Sequence, residues 1–171
     1  MPLGVTIKSH PNFSFYLPAM PEGLPPPLIE FVLRDLAGND IYLTRFNGDG
    51  RSGIASISLP ESSGFQGLEL NKSYIWSVAI ICQRNDRSKD IVADGLIQRV
   101  ATPPELSPRV LQGMSAIERA ELLSRAGIWY DTVALLAQLQ RNQPLPQWAS
   151  ILQAVELRDL VNQPLLNPLS F

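Results

Sequence analysis

The chain has 171 residues, and its 14 basic and 16 acidic side chains leave a net charge of −2. That length holds one domain with a real core, or one domain and a small appendage, and an apolar fraction of 45 % excludes disorder throughout. The mixed charge lacks the basic density that phosphate neutralisation demands, which argues against nucleic-acid binding. No apolar stretch approaches the roughly 18 residues of a membrane span.

From Gly4 to about Val100 the hydrophobic period is two, the signature of strands. Seven are predicted in chain order: Gly4–Lys8, Asn12–Leu17, Leu28–Asp35, Asp40–Phe46, Ser52–Leu59, Ser73–Gln83 and Asp90–Val100. Phe13, Phe15 and Leu17 alternate with Ser14 and Tyr16, and Gly38-Asn39 suits a tight hairpin. Ser73–Gln83 is the most apolar, as a central strand would be. Seven short strands in about 100 residues have the size of an immunoglobulin-like sandwich. The stretch from Gly67 to Ile80 resembles the E–F corner of a fibronectin type III domain, where a Tyr hydroxyl bonds back to backbone; Tyr74 would fill that role, with Trp76, Val78 and Ile80 pointing inward.

After Pro103-Pro104 the period becomes helical. Ser115 and Glu118 form a capping box that opens a helix ending at Gly127. A second helix, about Trp129 to Arg141, carries a stripe of Trp129, Val133, Leu136 and Leu139. A third starts near Pro146 and carries Trp148, Ile151, Leu152 and Val155. Gly127, Trp129, Leu136 and Pro144 fall at spacings like the second half of a tetratricopeptide repeat. One such hairpin cannot bury its face alone, so the tail is expected to pack on the sandwich, on a copy of itself or on a partner. The predicted architecture is a mainly β, seven-stranded immunoglobulin or fibronectin-III-like β-sandwich over 1–101 and a short helical C-terminal segment over 102–171. The tail is expected to leave the sandwich beside His10 and Gly38-Asn39, away from Arg84–Lys89.

Several strings together point to a family: Gly4-x-Thr6, His10-Pro11-x-Phe13-x-Phe15-Tyr16-x-Pro18, Glu30-Phe31-Val32-Leu33-x-Asp35, Gly95-x-Ile97-Gln98-Arg99-Val100 and Gly127-Ile128-Trp129-Tyr130-Asp131. With them the chain resembles, over nearly its whole length, the mainly cyanobacterial family known as domain of unknown function 928. The resemblance implies a cyanobacterial source and, because many members begin with an export signal, a periplasmic or secreted location. In this sequence Met1-Pro2-Leu3-Gly4 is expected to lead straight into the first strand. The resemblance brings no activity, cofactor or catalytic residue.

Candidate chemistry is thin. Cys82 is the one cysteine and His10 the one histidine, so an internal disulfide and a Cys/His zinc site of about four ligands are excluded. Cys82 ends an apolar run and is expected to be buried and inert. Gly48-Asp49-Gly50-Arg51-Ser52-Gly53 matches a dinucleotide fingerprint in letters, but it precedes a strand instead of opening a helix, so it is expected to be a loop. Its Asn47 and Asp49 are too few for calcium, and Ser58 stands where a twelfth-position Glu would be needed. A hydrolase would have to use His10 with a distant Ser or Asp. Asp86, Asp90 and Asp94 straddle a loop and a strand, where their four-residue spacing gives no shared face.

The expected function is therefore a non-enzymatic interaction module with a protein partner or self-association, and with no cofactor. Its candidate contact residues are Met20, Asp49, Arg51, Arg84, Arg87 and Lys89 on loops at one end of the sandwich. Trp129, Tyr130 and Trp148 on the tail join them as interface anchors if exposed and as core if not. Carbohydrate or envelope binding through the loop end is an alternative resting on fold analogy.

Overall fold

The computed structural model describes residues 3–61 and 64–169; Met1 and Pro2, and so the expected run from them into the first strand, lie outside these. Seven strands form: β1 Leu3–Thr6, β2 Asn12–Leu17, β3 Leu28–Asp35, β4 Asp40–Asn47, β5 Gly53–Ser58, β6 Ser73–Ile81 and β7 Ile91–Arg99. They make one sheet ordered β1-β7-β6-β3-β4 and a second of β2-β5. Neighbours are antiparallel except β1, which runs parallel to β7 with Leu3 opposite Leu96 and Thr6 opposite Arg99.

The alternation that predicted the strands also explains the core. Every second side chain of β2, β3 and β6 turns inward, and Phe13, Ile29, Phe31, Leu33, Ile57 and Ile97 are fully buried in one cluster. At the start of β6, Tyr74 is buried and its hydroxyl accepts a hydrogen bond from the Glu69 amide at 3.1 Å, the bond back to backbone expected of it. Gly38 adopts φ +89° in the β3–β4 turn, and Asn39 is fastened to the Asp35 carboxylate through its amide and its side chain.

The chain leaves β7 at the end occupied by the β1–β2 turn. There the Val100 amide donates to the Thr6 carbonyl at 2.8 Å, and the Arg99 guanidinium donates to the Leu68 carbonyl, whose own residue is bonded to Ser9. Four helices follow: α1 Pro108–Leu111, α2 Ala116–Arg125, α3 Trp129–Asn142 and α4 Pro146–Ala154. Ser115 and Glu118 exchange both bonds of the capping box, and Gly127, at φ +72°, provides the left-handed residue that stops α2. α2 and α3 pack on each other, and α3 also lies against β1 and β2. The face that a lone hairpin leaves open is thus covered by the sandwich. Trp148 is buried with Ile54, Val133, Leu145 and Leu152, a cluster built from β5 and the helices.

Two findings depart from expectation. Cys82 is exposed, not buried: β6 ends at Ile81, so the thiol falls just beyond the strand. Beyond α4, across Pro164 and Pro168, the chain returns to β5. The Ile54 amide donates to the Pro164 carbonyl, Leu166 donates to the Ile54 carbonyl and Leu169 to the Ser56 carbonyl. This pairing is parallel, Leu166 joins the sandwich core, and the edge of β5 is closed.

Candidate functional site: a cleft between the sandwich and the helices

The junction of tail and sandwich is built from small residues facing large ones. Gly4 lies under the Tyr130 ring, where a Cβ would come within 2.6 Å of it, and at Gly95 a Cβ would come within 2.7 Å of the Trp76 indole. Glycine inside a strand commonly marks such a close approach. Tyr130 enters the sandwich core at 8 % exposure, packing on Phe13, accepting the Trp76 indole N–H at 2.6 Å and donating to the Leu96 carbonyl at 3.0 Å. Burial pushes its phenol up to about 12, so it remains a donor at neutral pH.

One residue further, Asp131 is buried in the first turn of α3 and its carboxylate accepts from Thr6 Oγ1 at 2.7 Å and from the Ile7 amide at 3.2 Å. The positive end of the α3 dipole stabilises that charge. Four of the five strings that carry the family resemblance therefore meet here: Gly4 and Thr6 from β1, Phe13 from β2, Gly95 and Ile97 from β7, and Trp129, Tyr130 and Asp131 from α3.

Beside this junction opens a cleft of about 710 Å³, within the range of roughly 300–1,000 Å³ that ligand pockets occupy. β1 and β7 supply Leu3, Gly4, Ala93, Asp94 and Gly95 to one wall; β2 and β5 supply Asn12, Ser14, Phe15, Tyr16 and Ile54 to another. The helical side adds Trp129, Tyr130, Val133, Trp148, Leu152, Val155, Leu157 and Leu160, with Trp76 between. All three tryptophans of the chain line it. The indole N–H of Trp148 is buried without a partner, and Asp94 is the cleft's one charged lining residue, with no ion pair among the described residues.

At the loop end most of the charged side chains pair with one another. Asp49 is held by the Arg51 amide at 3.0 Å and its guanidinium at 2.7 Å, which lowers the carboxyl's pKa. Arg87 donates to Glu30 at 2.8 Å and to Asp90 at 2.5 Å. Lys89 reaches Gln83 at 3.3 Å and Asp86 at 3.8 Å. Arg84 is exposed and has no ion pair among the described residues, and Met20 is half-buried against the core.

The fingerprint-like string is the β4–β5 loop. Beside it, Pro18, Met20 and Asp49 line a pocket of about 10 Å³, room for a single water. Of the predicted tail anchors, Tyr130 and Trp148 are core, and Trp129 is half-buried at the cleft.

His10 sits in the turn before β2. Its Nε2 faces the Phe65 carbonyl at 3.3 Å, and since a carbonyl only accepts, Nε2 carries the proton in the neutral ring. Nδ1 is then left to accept from Ser9 Oγ at 3.1 Å. Among the described residues no carboxylate bonds this ring, and no group of three His, Cys, Asp or Glu is placed to hold a metal. Asp86 caps the short turn Arg87–Lys89, Asp90 is tied to Arg87, and Asp94 lies on β7. No helix among the described residues is long and apolar enough to cross a membrane.

The model of a family described as Domain of Unknown Function (DUF928) matches residues 1–165, so the chain belongs to that family. No curated protein and no solved structure matches it.

Proposed function

We propose that this member of the DUF928 family is a non-enzymatic interaction module that holds a segment of a protein partner in the cleft between its strands and its helices. The observation that carries the reading is the cleft itself: large, apolar, ringed by aromatic side chains and walled by segments from both halves of the chain. Aromatic rings in a concave site are the anchors that protein interfaces favour.

The β part, 1–101, is read as immunoglobulin-like, of the fibronectin type III kind. Support comes from the strand order, with β7, β6, β3 and β4 in one sheet and β2 with β5 in the other, and from the Tyr74 bond. The segment 102–171 is read as a tetratricopeptide-type hairpin with a further helix, supported by the packing of α2 on α3. A cyanobacterial source and an extracytoplasmic place of action belong to the same reading and rest on the family resemblance.

Selection of displayed eight-residue peptides against the whole chain tests the proposal, with tryptophan emission as the readout because all three indoles line the cleft. Enriched peptides should shift the emission saturably, and Leu157→Arg, an exposed change at the cleft wall, should remove the shift. Enrichment that is equal on wild type and Leu157→Arg would contradict the cleft as the site.

The aromatic lining favours a second reading, a carbohydrate or envelope glycan stacked on the rings. The same emission titration with cello- and chito-oligosaccharides tests it, and a flat response removes it. A hydrolase built on His10 has less support, because both ring nitrogens are engaged locally.

A further inference from the structure

The register of β2 on β5 decides which backbone groups face the cleft. The Leu59 amide donates to the Pro11 carbonyl at 3.2 Å, so the antiparallel alternation turns the N–H and C=O of Phe13, Phe15 and Leu17 toward β5. Those of Asn12, Ser14 and Tyr16 then point the other way. β5 obeys the same alternation: its outward-turned residues, Ile54 and Ser56, are the ones that bond to Pro164, Leu166 and Leu169. On β5 that outward row is closed by the chain's own C-terminal segment. On β2 the corresponding row finds no backbone partner among the described residues, and Asn12, Ser14 and Tyr16 all line the cleft.

We propose that the cleft receives an extended segment of a partner protein that pairs with the free edge of β2 as an added strand. The inference rests on the interaction-module reading above and names its partner's chemistry. An extended backbone is the ligand that offers alternating donors and acceptors at the spacing of a strand edge, whereas a compact apolar molecule would leave the row unpaired. The six residues of β2 span about 20 Å at roughly 3.4 Å per residue, and α3 also packs against β2, so the paired segment is at most about six residues long.

Leu3, Gly95, Val133 and Leu152 line the same cleft as Asn12, Ser14 and Tyr16. Apolar side chains at alternate positions meet the aromatic lining. A lysine or arginine is the charge complement of Asp94, the unpaired acid of the cleft.

The test is amide exchange on the whole chain, free and with a peptide enriched from a library that alternates apolar and polar positions around one lysine. The amides of Asn12, Ser14 and Tyr16 should slow at least about tenfold on binding, while those of Phe13 and Phe15, already paired with β5, should change little. N-methylating the peptide on alternate amides should weaken binding by about tenfold or more in one phase and little in the other.

Ser14→Pro removes a donor from the free edge, where proline is tolerated, and should lose affinity by a similar factor. If that variant does not fold, exchange on the native chain still decides. Asp94→Asn should weaken binding a few-fold and flatten its salt dependence. Peptides that shift tryptophan emission but leave the three amides unprotected would overturn strand addition and leave the cleft reading standing. A library with no enrichment would remove both. Protection that rises with protein concentration alone would assign the edge to a second copy and overturn the partner-segment proposal.

Discussion

At the loop end, Asp49 is closed by Arg51, Glu30 by Arg45 and Arg87, and Asp90 by Arg87. In the cleft, Asp94 has no ionic partner among the described residues, the Trp148 N–H is unpaired and the outward backbone row of β2 is open. Most charges of the loop end are paired, with Arg84 and the buried Asp90 Oδ1 left over, whereas these cleft groups are not. An exposed pair such as Asp49 with Arg51 contributes little and is screened by salt, whereas the Glu30 and Asp90 carboxylates are largely buried. Unpaired polar groups beside a large apolar recess are where a ligand has most to gain.

The largest effect that would break this contrast comes from the junction holding the cleft open. Asp131→Ala leaves Thr6 and the Ile7 amide without their buried acceptor. It should cost about 2–3 kcal/mol and lower the melting temperature by roughly 4–12 °C for a chain of this size. A melt unchanged within about 1 °C would show that the tail is not tied to β1 through this carboxylate.

Tyr130→Phe is the next step down. It unpairs the Trp76 indole and the Leu96 carbonyl and should cost about 1–2 kcal/mol, with a change in tryptophan emission. Burial raises this phenol from 10.0 to about 12, so its folded form favours the proton. The native chain should be fully stabilised by it below pH 10 and lose that contribution as pH rises toward 12, a slope that Tyr130→Phe should lack.

Smaller again is the acid response of the loop end. The hydrogen bond from Arg87 is the main cause holding Glu30 below its ordinary value of 4.5; Arg45 adds to it and burial opposes it. A carboxylate depressed in this way stabilises the fold above pH 4.5 and loses that effect as pH falls through its lower folded value. Arg87→Gln should move the midpoint of acid unfolding to higher pH and leave cleft binding unchanged. The smallest effect belongs to the double change Asp49→Ala and Arg51→Ala, which should leave both the melting temperature and cleft binding where they were.

Much of the β part was legible because its signal is local. Phe13, Phe15 and Leu17 alternate, the Ser115 and Glu118 pair announces its own cap, and each expected strand end lies within two residues of the observed one. The cleft was not legible, since its walls come from strands and helices brought together only by folding.

The signals that pointed toward it were small: Gly4 and Gly95 inside strand patterns, each sitting under an aromatic ring from elsewhere. The C-terminal return to β5 was missed for a physical reason. Pro164 and Pro168 cannot donate to a ladder, so the segment reads as a break; yet the pairing uses the carbonyl of Pro164 and the amides of Leu166 and Leu169, which proline leaves untouched.

The most direct test sets the two surfaces against each other with one ligand. The affinity of an enriched peptide would be measured for the native chain, for Leu157→Arg in the cleft and for the combined change Arg51→Ala, Arg84→Ala and Lys89→Ala at the loop end. The account predicts at least a tenfold loss for the cleft variant and an unchanged affinity for the loop variant. A loss confined to the loop variant would contradict it and return the binding surface to the charged end of the sandwich.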